Sequence, residues 1–198
     1  MTSREGRKPG ATFPGHVRIV AGSLRGSRLT VPVSPGLRPT PQRLRQTLFD
    51  WLAPVIRGTN VLDAFAGSGA LGIEALSRGA RAATFIERDR AQARAIEEDL
   101  VRLHQQDAGK VLGLDAAHVL GGAAFEKFDI AFVDPPFDSA LWEPVASLLE
   151  AGGWLAPGAW VYVEAGTADT WSAPAGWQRH RQREVGTVRG TLFRVGTT

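Results

Sequence analysis

Cysteine is absent from the 198 residues, which excludes disulfides, cysteine-ligated zinc and thiol catalysis. No apolar run approaches the roughly 20 residues that a membrane span needs, so no membrane partner is expected. The first fifteen residues are polar and basic and lack the apolar stretch of a secretory signal. These absences together fit a cytoplasmic protein. Lysine is scarce, three residues against twenty arginines, and arginine is the cation suited to phosphate and base contacts. Hydrophobic residues make up 43% and charged residues 22%, ordinary for a globular chain long enough for one sizeable core and too short for two large ones.

The net charge of +3 conceals a division. Residues 1–46 carry nine Lys and Arg against the single acid Glu5, giving +8, while the remaining residues carry fourteen against nineteen acids, giving −5. A basic segment on a mildly acidic body points to a polyanionic partner. Residues 1–15 read as a flexible basic tail, being rich in Gly, Pro and Arg with no periodicity. Residues 16–58 read as a small folded extension and residues 59–198 as the main domain.

In the extension, residues 17–20 and 28–33 read as strands of a hairpin around Gly22 to Gly26. Thr40 then offers an N-cap and Pro41 a first helical residue. Leu44, Leu48, Leu52 and Val55 give the following helix an apolar stripe with Trp51 beside it, ended by Pro54 and Gly58. From residue 60 strands and helices alternate: strands at 60–65, 82–87, 110–114, 128–134 and within 154–164; helices at 70–78, 91–104, 116–120 and 141–150. That alternation predicts an α/β fold with a mostly parallel sheet covered on both faces. Residues 177–185 and 187–195, joined through Gly186, read as an antiparallel hairpin closing the sheet.

The glycine-rich segment Leu62-Asp63-Ala64-Phe65-Ala66-Gly67-Ser68-Gly69-Ala70-Leu71-Gly72 falls between a strand and a helix. Glycines there let a ligand approach the backbone at a helix N-terminus. Gly67, Gly69 and Gly72 also match the dinucleotide pattern, with Glu87 following 20 residues after Gly67, so an NAD enzyme is a competing reading. Asp63 favours S-adenosylmethionine instead, because an acid before the glycines accepts from an ammonium group and repels a pyrophosphate. Glu87 suits both ribose hydroxyls and Asp115 the adenine amine; as plain structural residues they are a surface acid and a helix cap. Phe65, Ser68, Arg88 and Ala116 complete the expected cofactor pocket.

The next strand ends in Val133-Asp134-Pro135-Pro136-Phe137. Two prolines after a strand are rigid and donate no hydrogen bonds, while their carbonyls can accept. With the Asp134 carboxylate and the flat face of Phe137, they suit a planar group bearing an NH2. Acceptors on both amine hydrogens, from Asp134 and the Pro135 carbonyl, draw the nitrogen toward tetrahedral geometry and free its lone pair for in-line displacement. Phe137 would stack on a base flipped into the site.

These residues resemble the methyltransferases of planar amino groups, marked by (Asp/Asn)-Pro-Pro-(Tyr/Phe/Trp). The resemblance is closer to the bacterial 16S rRNA guanine-N2 methyltransferase family. It is carried by Val17-Arg18-Ile19-Val20-Ala21-Gly22, Gly36-Leu37-Arg38-Pro39-Thr40, Arg45-Gln46-Thr47-Leu48-Phe49, Phe65 to Gly72, and Val133 to Phe137. It runs from about Val17 to about Val195. It implies a class I S-adenosylmethionine-dependent methyltransferase fold, Rossmann-like, with a seven-stranded sheet. It implies that Asp63, Gly67, Gly69, Glu87 and Asp115 line the cofactor pocket and that Asp134, Pro135, Pro136 and Phe137 hold a guanine. It further implies that Arg38 and Thr40 cover the site, and that the substrate is guanine 966 of the small subunit or an assembly intermediate of it.

RNA contacts are assigned to Arg18, Arg25, Arg28, Arg38, Thr40, Arg43 and Arg45, with Arg179, Arg181 and Arg183 extending the surface. A monomer is expected. The alternatives are an amino methyltransferase of DNA adenine or cytosine, one of a protein glutamine, and an RNA-binding protein without catalysis. A DNA enzyme usually needs a separate recognition domain, for which this chain has no room, and glutamine enzymes favour Asn where Asp134 stands. An RNA-binding protein without catalysis predicts decay of the glycine loop or the tetrapeptide, and both are intact.

Overall fold

A computed structural model describes residues 15–32, 42–136 and 140–196. Thr40, Pro41, Arg38, Phe137, Val33 and residues 1–14 lie outside the described residues.

An N-terminal ribbon pairs β1 (Gly15–Arg18) antiparallel with β2 (Arg28–Val31). The first strand lies two residues earlier than the sequence suggests. The reason is a competing acceptor: the backbone N–H groups of Val20 and Ala21 donate to the two carboxylate oxygens of Glu74, at 2.7 and 3.0 Å. Val17, Ile19, Leu29 and Val31 turn inward and the residues between them outward. Helix α1 (Gln42–Leu52) buries Leu44, Leu48 and Leu52 as the stripe predicts, and also Arg45 and Phe49.

The sheet contains β3 (Asn60–Asp63), β4 (Ala82–Ile86), β5 (Gly109–Leu112), β6 (Phe128–Val133), β7 (Leu155–Gly166), β8 (Trp177–Val185) and β9 (Val188–Val195). Its order is β5-β4-β3-β6-β7-β9-β8. The first five in that order are parallel, and β9 and β8 are antiparallel to their neighbours. This is the mostly parallel seven-stranded sheet with an antiparallel C-terminal hairpin that the alternation predicts. The hairpin loop is Gly186-Thr187, with Gly186 at φ 60°, a value glycine adopts without strain.

The connecting helices are α2 (Ala70–Ser77), α3 (Arg90–Arg102), α4 (Ala116–Leu120) and α5 (Trp142–Ala151). One apolar cluster unites the ribbon, α1, α2 and α3 on one face of the sheet. A second unites α4 and α5 on the other. Helix α3 begins on Asp89, whose carboxylate accepts from Ala91 and Gln92 N–H. It ends at Arg102, two residues earlier than the periodicity suggests, because His104 takes a positive φ of 56°.

Helix α2 is buried on every side. Its sequence, Ala-Leu-Gly-Ile-Glu-Ala-Leu-Ser, is apolar around the helix because sheet packs beneath it and the ribbon above. Glu74 and Ser77, its two polar residues, bolt the ribbon down. Glu74 takes Val20 and Ala21 and pairs with Arg78 at 2.8 Å. The Ser77 hydroxyl donates to the Ala21 carbonyl and accepts from Leu24 N–H. Gly22 passes so close that a Cβ there would lie 1.9 Å from the Ser77 carbonyl oxygen. On α3, Asp99 accepts from Thr30 N–H at 2.9 Å and Arg102 donates to the Arg28 carbonyl at 2.7 Å. The ribbon therefore shares one core with the sheet and is held by buried acceptors at both ends.

Candidate active site and its basic surroundings

The carboxyl ends of β3, β4, β5 and β6 share one edge of the sheet, and each carries an acid: Asp63 as the last residue of β3, and Glu87, Asp115 and Asp134 within three residues after the others. The connections run in opposite directions from the β3–β6 boundary, and such a reversal opens a crevice in an α/β sheet. Asp63 and Asp134 stand on its two sides.

Asp63 is 2% exposed and its Oδ2 accepts from Gly72 N–H at 3.0 Å. Burial is the main cause that lifts its carboxyl to about 7; the Gly72 bond opposes this, and the charges of Asp134 and Glu87 reinforce it. An acid so placed holds its proton up to about neutral pH, and a nearby cation favours its ionised form. Gly67 and Gly69 take φ of 54° and 72°, and Gly69 starts α2 without a side-chain cap. At Gly72 a Cβ would meet the Phe85 ring at 2.2 Å. All three glycines are thus needed by the backbone path, and Asp63 takes the Gly72 N–H in the first turn of the helix. Phe65 and Ser68 are half-buried along this loop, Arg88 is exposed and Ala116 is buried.

Glu87 braces the same loop. Its Oε2 accepts from Gly67 N–H and its Oε1 from Asp89 N–H, both at 2.7 Å. Burial raises its proton affinity while these two bonds lower it. A carboxylate has about four lone-pair sites, so two remain for a ligand's hydroxyls. Asp115 is exposed and caps α4 by accepting from His118 N–H at 3.1 Å.

Asp134 follows β6 half-buried, Pro135 is buried and Pro136 exposed. Phe137 lies outside the described residues. The register pairs Phe132 with Tyr162 and Val133 with Val163, which brings Asp134 beside Glu164 on the neighbouring strand. Tyr162 is fully buried and donates to Glu164 Oε1 at 3.0 Å. Burial, Glu164 and Asp134 push its phenol well above the ordinary range. Asp63, Asp134 and Glu164 thus bring three carboxyl groups to adjacent strand ends.

The basic residues divide sharply. Arg18, Arg25, Arg28 and Arg43 are exposed, and Arg38 and Thr40 lie outside the described residues. Arg45 corrects the expectation that it sits on the RNA-facing surface. It is 3% exposed, and its Nη2 donates to the Arg18 carbonyl at 2.6 Å. Burial lowers its proton affinity, while Glu74 and Glu164 raise it. Its place one turn into α1 points it under the ribbon, where two buried carboxylates need a cation. Sequence reasoning passed over Glu74, Ser77, Tyr162 and Glu164. A single acid inside the apolar run of α2 was the available signal for Glu74; nothing in the sequence pattern marks the others.

Among the described residues no helix is long and apolar enough to cross a membrane, and no group of His, Asp and Glu could hold a metal ion.

The family model described as conserved hypothetical protein 95 matches residues 17–194. The chain is 46% identical over 188 residues to ribosomal RNA small subunit methyltransferase D of Escherichia coli K12, covering 94% of each chain. It is 40% identical to the protein of the same name from Haemophilus influenzae, covering 90% of this chain and 94% of that one. The solved structure of Escherichia coli yhhF is 44% identical, covers 93% of this chain and all of that one, and superposes with a TM-score of 0.84. The sheet order, the crevice and these relatives agree: the fold is that of the class I methyltransferases, and the chain belongs to the conserved hypothetical protein 95 family, alongside the small-subunit rRNA methyltransferases D.

Proposed function

We propose that this chain is an S-adenosylmethionine-dependent methyltransferase of the small-subunit rRNA, acting on the exocyclic N2 amine of a guanine, at position 966. The observation that carries the reading is the pairing of Asp63 and Asp134 across the crevice, one at the cofactor loop and one ahead of Pro135-Pro136. The relatives' name supports the substrate class.

When bound, S-adenosylmethionine supplies a methyl group on a positively charged sulfur. The chain's residues do the rest. Asp63 holds the ammonium group, whose charge favours the ionised form of its buried carboxyl. Glu87 offers its remaining lone pairs to the ribose hydroxyls, and Asp115 accepts from the adenine amine while capping α4. Phe65, Gly67, Ser68, Gly69, Arg88 and Ala116 complete the pocket wall. Asp134 and the Pro135 carbonyl accept the two hydrogens of the guanine amine and turn its lone pair toward the methyl group. No strong base is needed, since the nitrogen becomes acidic once it gains the methyl group. Phe137 stacks on the extruded base. Arg18, Arg25, Arg28 and Arg43 hold the RNA backbone, and Arg38 and Thr40 cover the site.

The test is transfer of labelled methyl to small-subunit particles from cells lacking the activity. Asp134→Ala should bind S-adenosylmethionine normally and lose at least about 100-fold in turnover, the scale of removing a group that acts in the transition state. Near-wild-type turnover would remove Asp134 from the amine site.

A further inference from the structure

Strand β8 ends the sheet, and from Gln178 to Glu184 every residue is exposed. Simple alternation would place Arg179, Arg181 and Arg183 on one face. The pairing with β9 separates them. Arg179 stands opposite Phe193, whose ring packs with Trp171 and Trp177 in the α4/α5 cluster. The register then shifts, and Arg181 stands opposite Leu192 and Arg183 opposite Gly190. Leu192 belongs to the other cluster, which contains Tyr162, Phe49 and the ribbon. The extra residue at this bulge is His180, whose ring meets Trp160 on the same face at 4.9 Å. A bulge re-aims the side chains that follow it, and here it turns two arginines from the α4/α5 face to the face that carries α1 and the ribbon.

On that face Arg183 begins a row that crosses the sheet through Gly190 to Glu164, and Asp134 comes one residue after Val133, the last residue of β6 paired with β7. Three strand spacings separate Arg183 from Asp134, roughly 14 Å. Gly190 makes room for the Tyr162 side chain, whose hydroxyl would lie 2.3 Å from a Cβ there. Neither arginine faces an acid across the pair, since Leu192 and Gly190 stand opposite them. The arginine of β9 on the other face, Arg189, is instead spent on Glu184 and on the Thr167 carbonyl, both at 2.8 Å.

We propose that Arg181 and Arg183 bind the phosphate backbone of the RNA strand flanking the target nucleotide, a reading that rests on the rRNA assignment above. A base drawn to Asp134 carries its neighbouring phosphates outward along the sheet. Two exposed guanidinium groups three strands away, with no acid opposite, offer those phosphates charge-assisted contacts. The edge position adds a second use, since cations on an edge strand discourage pairing with another chain; that use does not depend on which face they occupy, and the phosphate contact does.

The test compares Arg181→Gln/Arg183→Gln with Arg179→Gln, using small-subunit particles from cells lacking the activity. The double variant should raise the particle KM about tenfold and make its log–log salt slope shallower by about 1.4, the loss of two phosphate contacts to a single strand. Its turnover at saturating particles and its S-adenosylmethionine affinity should stay within about twofold of wild type. Arg179→Gln should match wild type in every readout. Equal behaviour of the double variant and Arg179→Gln overturns the inference. A wild-type enzyme that labels no RNA overturns the rRNA assignment itself, which separates the two failures.

Discussion

Arg18 and Arg28 are direct cross-strand partners on the N-terminal ribbon, and both face solvent. Like charges opposite one another on a two-stranded ribbon cost on the order of 0.2–1 kcal/mol. Replacing Arg28 by Thr should therefore leave the melting temperature unchanged or slightly higher, since the contact with Arg102 uses the Arg28 carbonyl and survives. Affinity for the ribosomal particle should fall several-fold and lose part of its salt dependence. Unchanged affinity, measured over a salt series, would remove the ribbon from the RNA-binding surface.

The raised carboxyl of Asp63 gives a pH dependence of definite sign. Its value moves from 3.8 to about 7 on folding. The folded apo chain thus keeps a proton that the unfolded chain releases, so this group's stabilising contribution is full below about 4. It is lost as pH rises toward 7. Asp63→Asn should make the apo protein more stable than wild type at pH 8, with the difference shrinking toward pH 4. The amide oxygen still accepts from Gly72. S-adenosylmethionine affinity should drop at least about tenfold at pH 8, the loss of a charge-assisted bond. Thermal melts and calorimetric titration across this range check both halves.

Arg45 separates a structural from an RNA-binding role. Removing a buried cation that Glu74 and Glu164 favour, and that holds the Arg18 carbonyl, loses a charge-assisted hydrogen bond under the ribbon, which costs about 1.5–3 kcal/mol. Arg45→Leu should show this as a lower denaturant midpoint, while the folded fraction binds RNA with wild-type affinity. A stable variant with weakened RNA binding would place Arg45 back on the surface.

The strand and helix alternation, the cofactor loop and the Asp134 segment were legible because local chemistry writes them. Glycines mark the backbone turns, acids end strands, and prolines follow β6. The role of Arg45 was not legible, because helix periodicity cannot tell an arginine on the solvent face from one drawn under a ribbon by Glu74, 29 residues away in sequence. The hairpin's docking on Ser77 and Asp99 is equally non-local. The split of Arg179 from Arg181 and Arg183 depends on one unpaired residue in β8, and alternation alone predicts the opposite grouping.

The most direct test of the central claim is the chemical identity of the product. Small-subunit particles lacking the modification would be incubated with the enzyme and labelled S-adenosylmethionine, the 16S rRNA digested to nucleosides, and the labelled position mapped. The account predicts label in N2-methylguanosine at the single position 966. Label in a different base, on a ring nitrogen or ribose, or only in protein or DNA would contradict it.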